Sequence, residues 1–289
     1  MTIGDMAASE LPEFPVPGST ASDNSVRTKV TIGLTVSGIV LVALILLFPG
    51  WFATGSPTAT DAQHSYAAPG WGHVLGTDQL GRDVYSRIIY GAQVSVMIGI
   101  VAASIALVIG SIVGLASALG GRFVDSGFMR VVDIWMAFPE VLLALMIIAL
   151  VGPGSANIAV AVGFAAAPYY ARLIRGQAMS VSRSEYVEAA KVVGVHPVLY
   201  GIRHVLPNIA GPVIVLASLG TGTAVAAAAG LSLLGLGPPP PSPEWGAMIA
   251  AGQPYLSSAW WIATFPGVAL VLVVVIFTVA GRKLTKGRR

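Results

Sequence analysis

The sequence predicts an all-α integral membrane protein with six transmembrane helices, and three observations carry that prediction. Of 289 residues, 55% are hydrophobic and only 10% charged, whereas soluble domains carry about 25% charged residues. Mean hydropathy is +0.79. Six apolar stretches approach or exceed the ~20 residues that a helix needs to cross about 30 Å of hydrocarbon. A water-soluble core cannot absorb that excess. The chain has no cysteine, which excludes disulfides, thiolate catalysis and thiolate metal sites.

Residues 1–29 read as a disordered tail, with Pro12, Pro15, Pro17 and Gly18 among them. The run 30–48 follows Arg27 and Lys29 like a signal peptide. It is longer than the ~7–15-residue apolar region of one, and lacks a clear small-residue cleavage site, so it reads as a retained anchor. The other spans are 94–119, 131–151, 158–173, 209–234 and 260–280; the fourth reaches crossing length only if Ser155 to Asn157 are included. The expected organisation is therefore a tail (1–29), an anchor helix (30–48), an extracytoplasmic segment (49–90), a five-helix core (91–281) with a cytoplasmic loop (172–208), and a basic tail (282–289).

The net charge of +3 and pI near 9.3 raise the question of nucleic acid, but the positions of the charges answer it. With both termini inside, only Arg82 and Arg87 of the 16 Lys and Arg fall in outer segments. The positive-inside rule thus predicts cytoplasmic termini, and no nucleic-acid partner is expected. Outside the spans, Pro238 to Pro241 form a stiff, non-helical strut.

The fifth span is rich in small residues, among them Ser218, Gly220, Thr221, Gly222 and Thr223. Small residues let helix backbones approach closely in lipid. Either they serve packing alone, or the Ser and Thr hydroxyls line a solute path. Asp133 and Glu140 lie in or near the third span, where an ionisable residue is a functional candidate by default. Asp133 is placed to pair with Arg130 at i+3. Glu140, about 10 Å deeper, follows Pro139, where a kink opens a water-lined cavity; it belongs either to a solute path or to a solvated helix face.

In the cytoplasmic loop, Ser182-Arg183-Ser184-Glu185 is a capping-box pattern that starts a helix. Tyr186, Ala189, Ala190 and Val193 follow on one face. Gly194 ends that helix, and Pro197 opens a second one to Leu206. The second carries Leu199, Ile202 and Leu206 on one face with Val198 and Val205 beside it. It spans only about 15 Å, so neither helix crosses a membrane. Their apolar faces must be covered, by a soluble partner or by the bilayer surface.

Glu188-Ala189-Ala190, three residues, Gly194, nine residues, then His204-Val205-Leu206-Pro207 resembles the EAA loop of ABC importer permeases, with His204 at the usual Ile position. The stretch from His73 to Arg87, with Gly76, Thr77, Asp78, Gly81, Arg82 and Asp83, is similar to the H-x-x-G-T-D-x-x-G-R-D signature of the second permease subunit of dipeptide and oligopeptide importers. Read by themselves, Gly76 and Gly81 permit tight turns and Asp78, Arg82 and Asp83 form local ion pairs. Residues 243–249, Trp260-Trp261 and Phe265-Pro266-Gly267 resemble the same subfamily's outer loop and last span. Arg282-Lys283-Leu284-Thr285 departs from its usual tail.

The resemblance implies a type I, MetI-like core of five helices plus an N-terminal helix, in a prokaryotic cytoplasmic membrane. Tyr186, Glu188, Ala189, Ala190, Gly194, His204, Leu206 and Pro207 would then couple the chain to ATPases. The implied partners are a homologous permease, two cytoplasmic ABC ATPase subunits or domains and an extracytoplasmic solute-binding protein, in membrane lipid. The solute is expected to be a di- or oligopeptide; nickel, haem or glutathione is the alternative within the same permease class, and a secondary transporter the alternative outside it. The chain has no phosphate loop and its four His are dispersed, so ATP and Mg²⁺ are expected on partners, with no cofactor, metal or catalytic residue here. The residues expected on a path are Glu140, Ser218, Thr221 and Thr223.

Overall fold

The computed structural model describes residues 21–185 and 196–286. They fall into two units, one ending at Leu34 and one running from Thr35 onward. The first contains the start of helix α1 (Ala21–Leu47). The second contains the remainder of α1, then α2 (Val84–Leu119), α3 (Gly121–Met136), α4 (Glu140–Val151), α5 (Ser155–Ser182), α6 (Pro197–Tyr200), α7 (Leu206–Leu231), α8 (Trp245–Gly252) and α9 (Trp261–Lys286). Among the described residues the only β pairing is a lone bridge between Thr77 and Asp83.

Among the described residues four stretches, Val84–Leu119, Ser155–Ser182, Gly201–Leu236 and Trp261–Lys283, are long and apolar enough to cross a membrane; α3 and α4, bent by 84°, have the length and composition for a fifth if the pair is one broken span. The apolar part of α1 among the described residues, Thr35–Leu47, is shorter. The predicted third span, 131–151, is therefore not one helix. Proline disfavours helical backbone at the residue before it and cannot donate to the ladder. Pro139 accordingly sits at ψ 130° just ahead of α4. The fourth span includes Ser155 to Asn157 and continues to Ser182, which places Arg172 and Arg175 on a helix rather than in a loop.

The most extensive helix contact joins α2 to α5. It is made of small residues on both sides: Ala102, Ala103, Ala106, Gly110 and Gly114 from α2, and Ala159, Ala161, Gly163, Ala167 and Ala171 from α5, all buried. A β-carbon on Gly110 would lie 2.4 Å from Tyr170 Cβ and 2.9 Å from the Ala171 amide nitrogen. With no hydrophobic force between helices in lipid, this close backbone approach is the source of attraction. α7 packs on α2 and α9. Gly220 makes room for the Tyr170 hydroxyl of α5, and Gly222 faces the Val274 carbonyl of α9.

The segment between α1 and α2 has only single 3-10 turns, Pro49–Trp51 and Ala62–His64. It is held by backbone bonds such as Asp61 N–H to Leu80 O, Tyr66 N–H to Asp78 O and Thr77 N–H to Ala67 O. Gly81 at φ 71° is required twice over, since a β-carbon there would lie 1.7 Å from the Asp61 carbonyl oxygen. Asp83 caps α2, accepting from the Ser86 amide at 2.8 Å and the Thr54 hydroxyl at 3.0 Å, with His73 Nδ1 3.2 Å away. Burial pushes its carboxyl up, but these bonds outweigh it and hold the pKa below the usual carboxylate value. Of the expected local ion pairs, Asp78 with Arg82 forms at 2.6 Å; Asp83 turns to His73 instead.

The segment after α7 is not a plain connection. It turns at Gly235 (φ 85°), passes the proline run and contains α8, whose cap Glu244 is 1% exposed.

Candidate functional site

The 84° break places Glu140 at the first turn of α4, where it lines a cavity of about 160 Å³ with Val141, Ala144, Val162, Thr223, Ala227 and Leu231. Two of the four residues expected on a path thus meet, although 83 positions separate them in the chain. The other two do not join them. Ser218 donates to the Phe277 carbonyl at 3.1 Å, tying α7 to α9. Thr221 is buried and donates to Ala217 O one turn back. Thr223 also donates to backbone, to Gly220 O at 3.0 Å, so what sets it apart is its place on the cavity wall, where its oxygen can still accept. Ser218 and Thr221 thus serve packing, and Thr223 lines the cavity.

The charges at the α3–α5 contact correct a second expectation. Asp133 pairs with Arg172 of α5, not with Arg130 on its own helix. One step along, Arg175 makes a two-pronged pair with Asp125, at 2.5 and 2.6 Å, and Ser117 donates to the same carboxylate. Bidentate geometry makes this the stronger of the two. Together they hold the amphipathic α3 against α5 on the side of the bend opposite α4.

At the same end of α5 the capping-box reading shifts. Ser182 is the last residue of α5, and the chain turns through Arg183 and Ser184, whose hydroxyl donates to Val181 O. Helical geometry resumes at Glu185. Tyr186, Glu188, Ala189, Ala190, Val193 and Gly194 lie outside the described residues. The chain re-enters as α6, and here the expectation of a separate second helix fails. α6 passes through a wide turn, Gly201–Val205, directly into α7, so Pro197 to Leu206 is the beginning of the fifth span. Pro207 lacks the amide that an α-helix would need there. The wide turn absorbs this, with Leu206 N–H reaching Gly201 O and the Asn208 side chain donating to His204 O at 2.6 Å.

The two sides of this segment differ in burial. Val205 is fully buried, in a cluster with Tyr170, Ile174, Ala178, Tyr200 and Ile209. Leu199, Ile202 and Leu206, the face expected to meet a partner or the bilayer, are 53%, 60% and 43% exposed on this chain. Ile202 and Leu206 line an open apolar groove of about 450 Å³ with Leu115, Ala116 and Leu119. His204 and Pro207 are not among the residues that line it. The signature residues Gly76, Thr77, Asp78 and Arg82 are all buried, in contact with α2 and α9 through bonds such as Trp261 Nε1–H to Thr77 O, 3.0 Å. Sequence reading gave Glu244 no role of its own; its carboxyl accepts from Ser95 on α2 and from two amides of α8. Its position three residues before Ala247 at a helix start is the local signal that could have found it.

A bundle of long apolar helices, one broken at a lined cavity, belongs to the class of membrane transport subunits. Its fold matches a chain of the inward-facing MetNI methionine ABC transporter with a TM-score of 0.57, over 70% of this chain and 95% of that one. At 21% identity that likeness concerns the fold. The chain belongs to the family of binding-protein-dependent transport system inner membrane components, whose pattern matches residues 95–289. It is 40% identical to the dipeptide transport system permease protein DppC of Escherichia coli K12 over 249 residues, 84% of this chain and 83% of that one. Against the DppC of Alkalihalophilus pseudofirmus it is 37% identical over 251 residues, 86% and 83% of the two chains.

Proposed function

We propose that this chain is a transmembrane subunit of an ATP-driven importer of di- or oligopeptides. The observation that carries the reading is identity of 37% and 40% to dipeptide permeases along more than four-fifths of each chain. The charge asymmetry supports cytoplasmic termini and an extracytoplasmic 49–90 segment. A homologous permease and two ABC ATPases complete the membrane complex, and a solute-binding protein delivers the peptide. ATP and Mg²⁺ act on the ATPases; this chain contributes a path and a coupling surface and catalyses nothing. Import follows from differential binding, because ATP favours one arrangement of the motor and the docked loops carry that preference to the cavity. The test is ATP-dependent uptake of labelled dipeptide by the reconstituted complex. Uptake of nickel, haem or glutathione without dipeptide would assign the chain to another solute.

Glu140 and Thr223 form the polar part of the solute path in this reading. Glu140→Ala with Thr223→Val is expected to lower peptide uptake at least about 10-fold, the scale of one lost charge-assisted bond, with the ATPases still bound. Unchanged uptake would make Glu140 a solvated helix position.

The stretch from Glu188 to Pro207, whose second half is the head of the fifth span, is the coupling contact, with Ala189 and Ala190 letting a helix seat closely on the ATPase. Ala190→Phe and Gly194→Val are expected to weaken ATPase recovery in pull-downs about 10-fold, in line with overpacking at a tight contact. Membrane insertion should be normal. A helix lying on the bilayer instead leaves recovery intact.

A further inference from the structure

Where the loop 76–83 meets the segment 237–244 and α8, the chain forms a partly open cavity of about 70 Å³. Its wall carries Asp78, Gln79, Arg82 and Arg87 among apolar residues and prolines. Two guanidinium groups, 7% and 6% exposed, face a single carboxylate. Asp78 is fully engaged. Its Oδ1 accepts from the amides of Leu80 and Arg82, and its Oδ2 from Arg82 Nε at 2.6 Å, with Arg87 Nε 3.7 Å away. Arg87 spends its terminal nitrogens on the carbonyls of Pro57, Pro241 and Ser242. Arg82 does not: beyond Nε, its side chain makes no hydrogen bond among the described residues. Gln79 Oε1 is likewise buried without a partner, and the two ends of an amide side chain can exchange places. Asp83, the nearest other carboxyl in sequence, is committed to Ser86, Thr54 and His73.

The cavity therefore has one positive charge in excess, open donors on Arg82 and an amide able to present a further one. Buried charges of this kind are paired or bind an ion. We propose that the cavity binds a small monovalent anion, chloride or a carboxylate as compact as acetate, between the Arg82 guanidinium and the Gln79 amide. Arg87 supplies the second charge. A water needs about 10–15 Å³ of space measured this way, so the cavity has room for a small anion such as chloride or acetate. The bound anion would tie the loop 76–83 to the proline segment, which Arg87 already bridges through backbone.

The experiment uses the assembled transporter in lipid nanodiscs and follows amide hydrogen exchange in 76–87 and 237–247. Buffers hold about 100 mM potassium chloride, acetate or gluconate at equal ionic strength, so that general screening is constant. Chloride is expected to slow exchange about 5- to 10-fold relative to gluconate, as for a site filled several times over its dissociation constant. Equal slowing by acetate extends the site to carboxylates, and no slowing by acetate assigns it to halide. Gln79→Leu keeps the Asp78–Arg82 pair and fills the cavity, and should erase the salt difference. Arg82→Gln should erase it too. Crystals grown in bromide should show anomalous density beside Arg82. Equal exchange in all three salts, a salt difference that survives Gln79→Leu, or bromide absent from the cavity would overturn the proposal.

Discussion

Gly110→Val is expected to cost about 3 kcal/mol, the upper part of the range for overpacking, and to abolish a stable permease in the membrane. The β-carbon alone would fall 2.4 Å from Tyr170 Cβ and within 3.0 Å of the backbone at Tyr170 and Ala171. Backbone of a neighbouring helix cannot rotate away as a flexible side chain does, so α2 and α5 must separate. Because that seam is the largest helix contact in the chain, its loss propagates to α7, which rests on both. The control is Gly176→Ala on α5, where an added β-carbon meets nothing within 4 Å. That change is expected to be neutral or to stabilise by about 0.5–1 kcal/mol, since glycine in a helix carries the larger entropy cost. Unfolding in mixed micelles, titrated with denaturing detergent, measures both. A Gly110→Val chain as stable as the parent would mean that the two helices are not packed backbone to backbone.

Glu244→Ala is the second large effect, expected at about 3 kcal/mol. The side chain accepts from Gly246 N–H at 2.9 Å, Ala247 N–H at 2.7 Å and Ser95 Oγ at 3.2 Å, while Ser95 Oγ in turn accepts from Trp245 N–H at 3.0 Å. Removing it deletes a helix cap, worth about 0.5–2 kcal/mol. It also strands buried donors at about 1–3 kcal/mol each where water cannot reach them. Trp245, 2% exposed and donating from its ring to Ile88 O, then loses the anchor that seats it between α2 and α9. Glu244→Asp is expected to be intermediate, because a shorter cap still reaches the α8 amides but not Ser95. The same detergent titration reads the difference. Identical losses for Ala and Asp would show that the Ser95 link, not the cap, dominates.

Much about this protein was legible locally. Apolar run length and the scarcity of charge made a helical membrane protein unavoidable, because burying backbone in lipid leaves helices as the economical solution. The helix-breaking Pro139, the turn glycines Gly76 and Gly81 and the non-helical proline run after α7 were equally readable, since each acts through its own φ, its missing N–H or its missing β-carbon. The spacing of Glu188, Gly194 and Pro207 and the string from Gly76 to Asp83 pointed to the permease family for the same reason: they are contiguous signals.

What the tertiary structure alone decided are the partnerships that periodicity cannot see. Asp133 had a neighbour at i+3 in Arg130, yet pairs with Arg172, because α5 extends far enough to carry its arginines alongside α3. Pro197 to Leu206 has the length and pattern of an independent surface helix. It is instead the head of the fifth span, because a wide turn accommodates the donor that Pro207 lacks. The hydroxyls of Ser218, Thr221 and Thr223 were equivalent as a list; all three donate to backbone carbonyls, to Phe277 O of α9, Ala217 O and Gly220 O, and only the docking of α7 against α4 and α5 puts Thr223 on the cavity wall with Glu140. Composition and spacing report each residue's own backbone preferences over a turn or two of chain. Which donor meets which acceptor depends on how whole helices dock, and in lipid that is settled by where small residues let backbones touch.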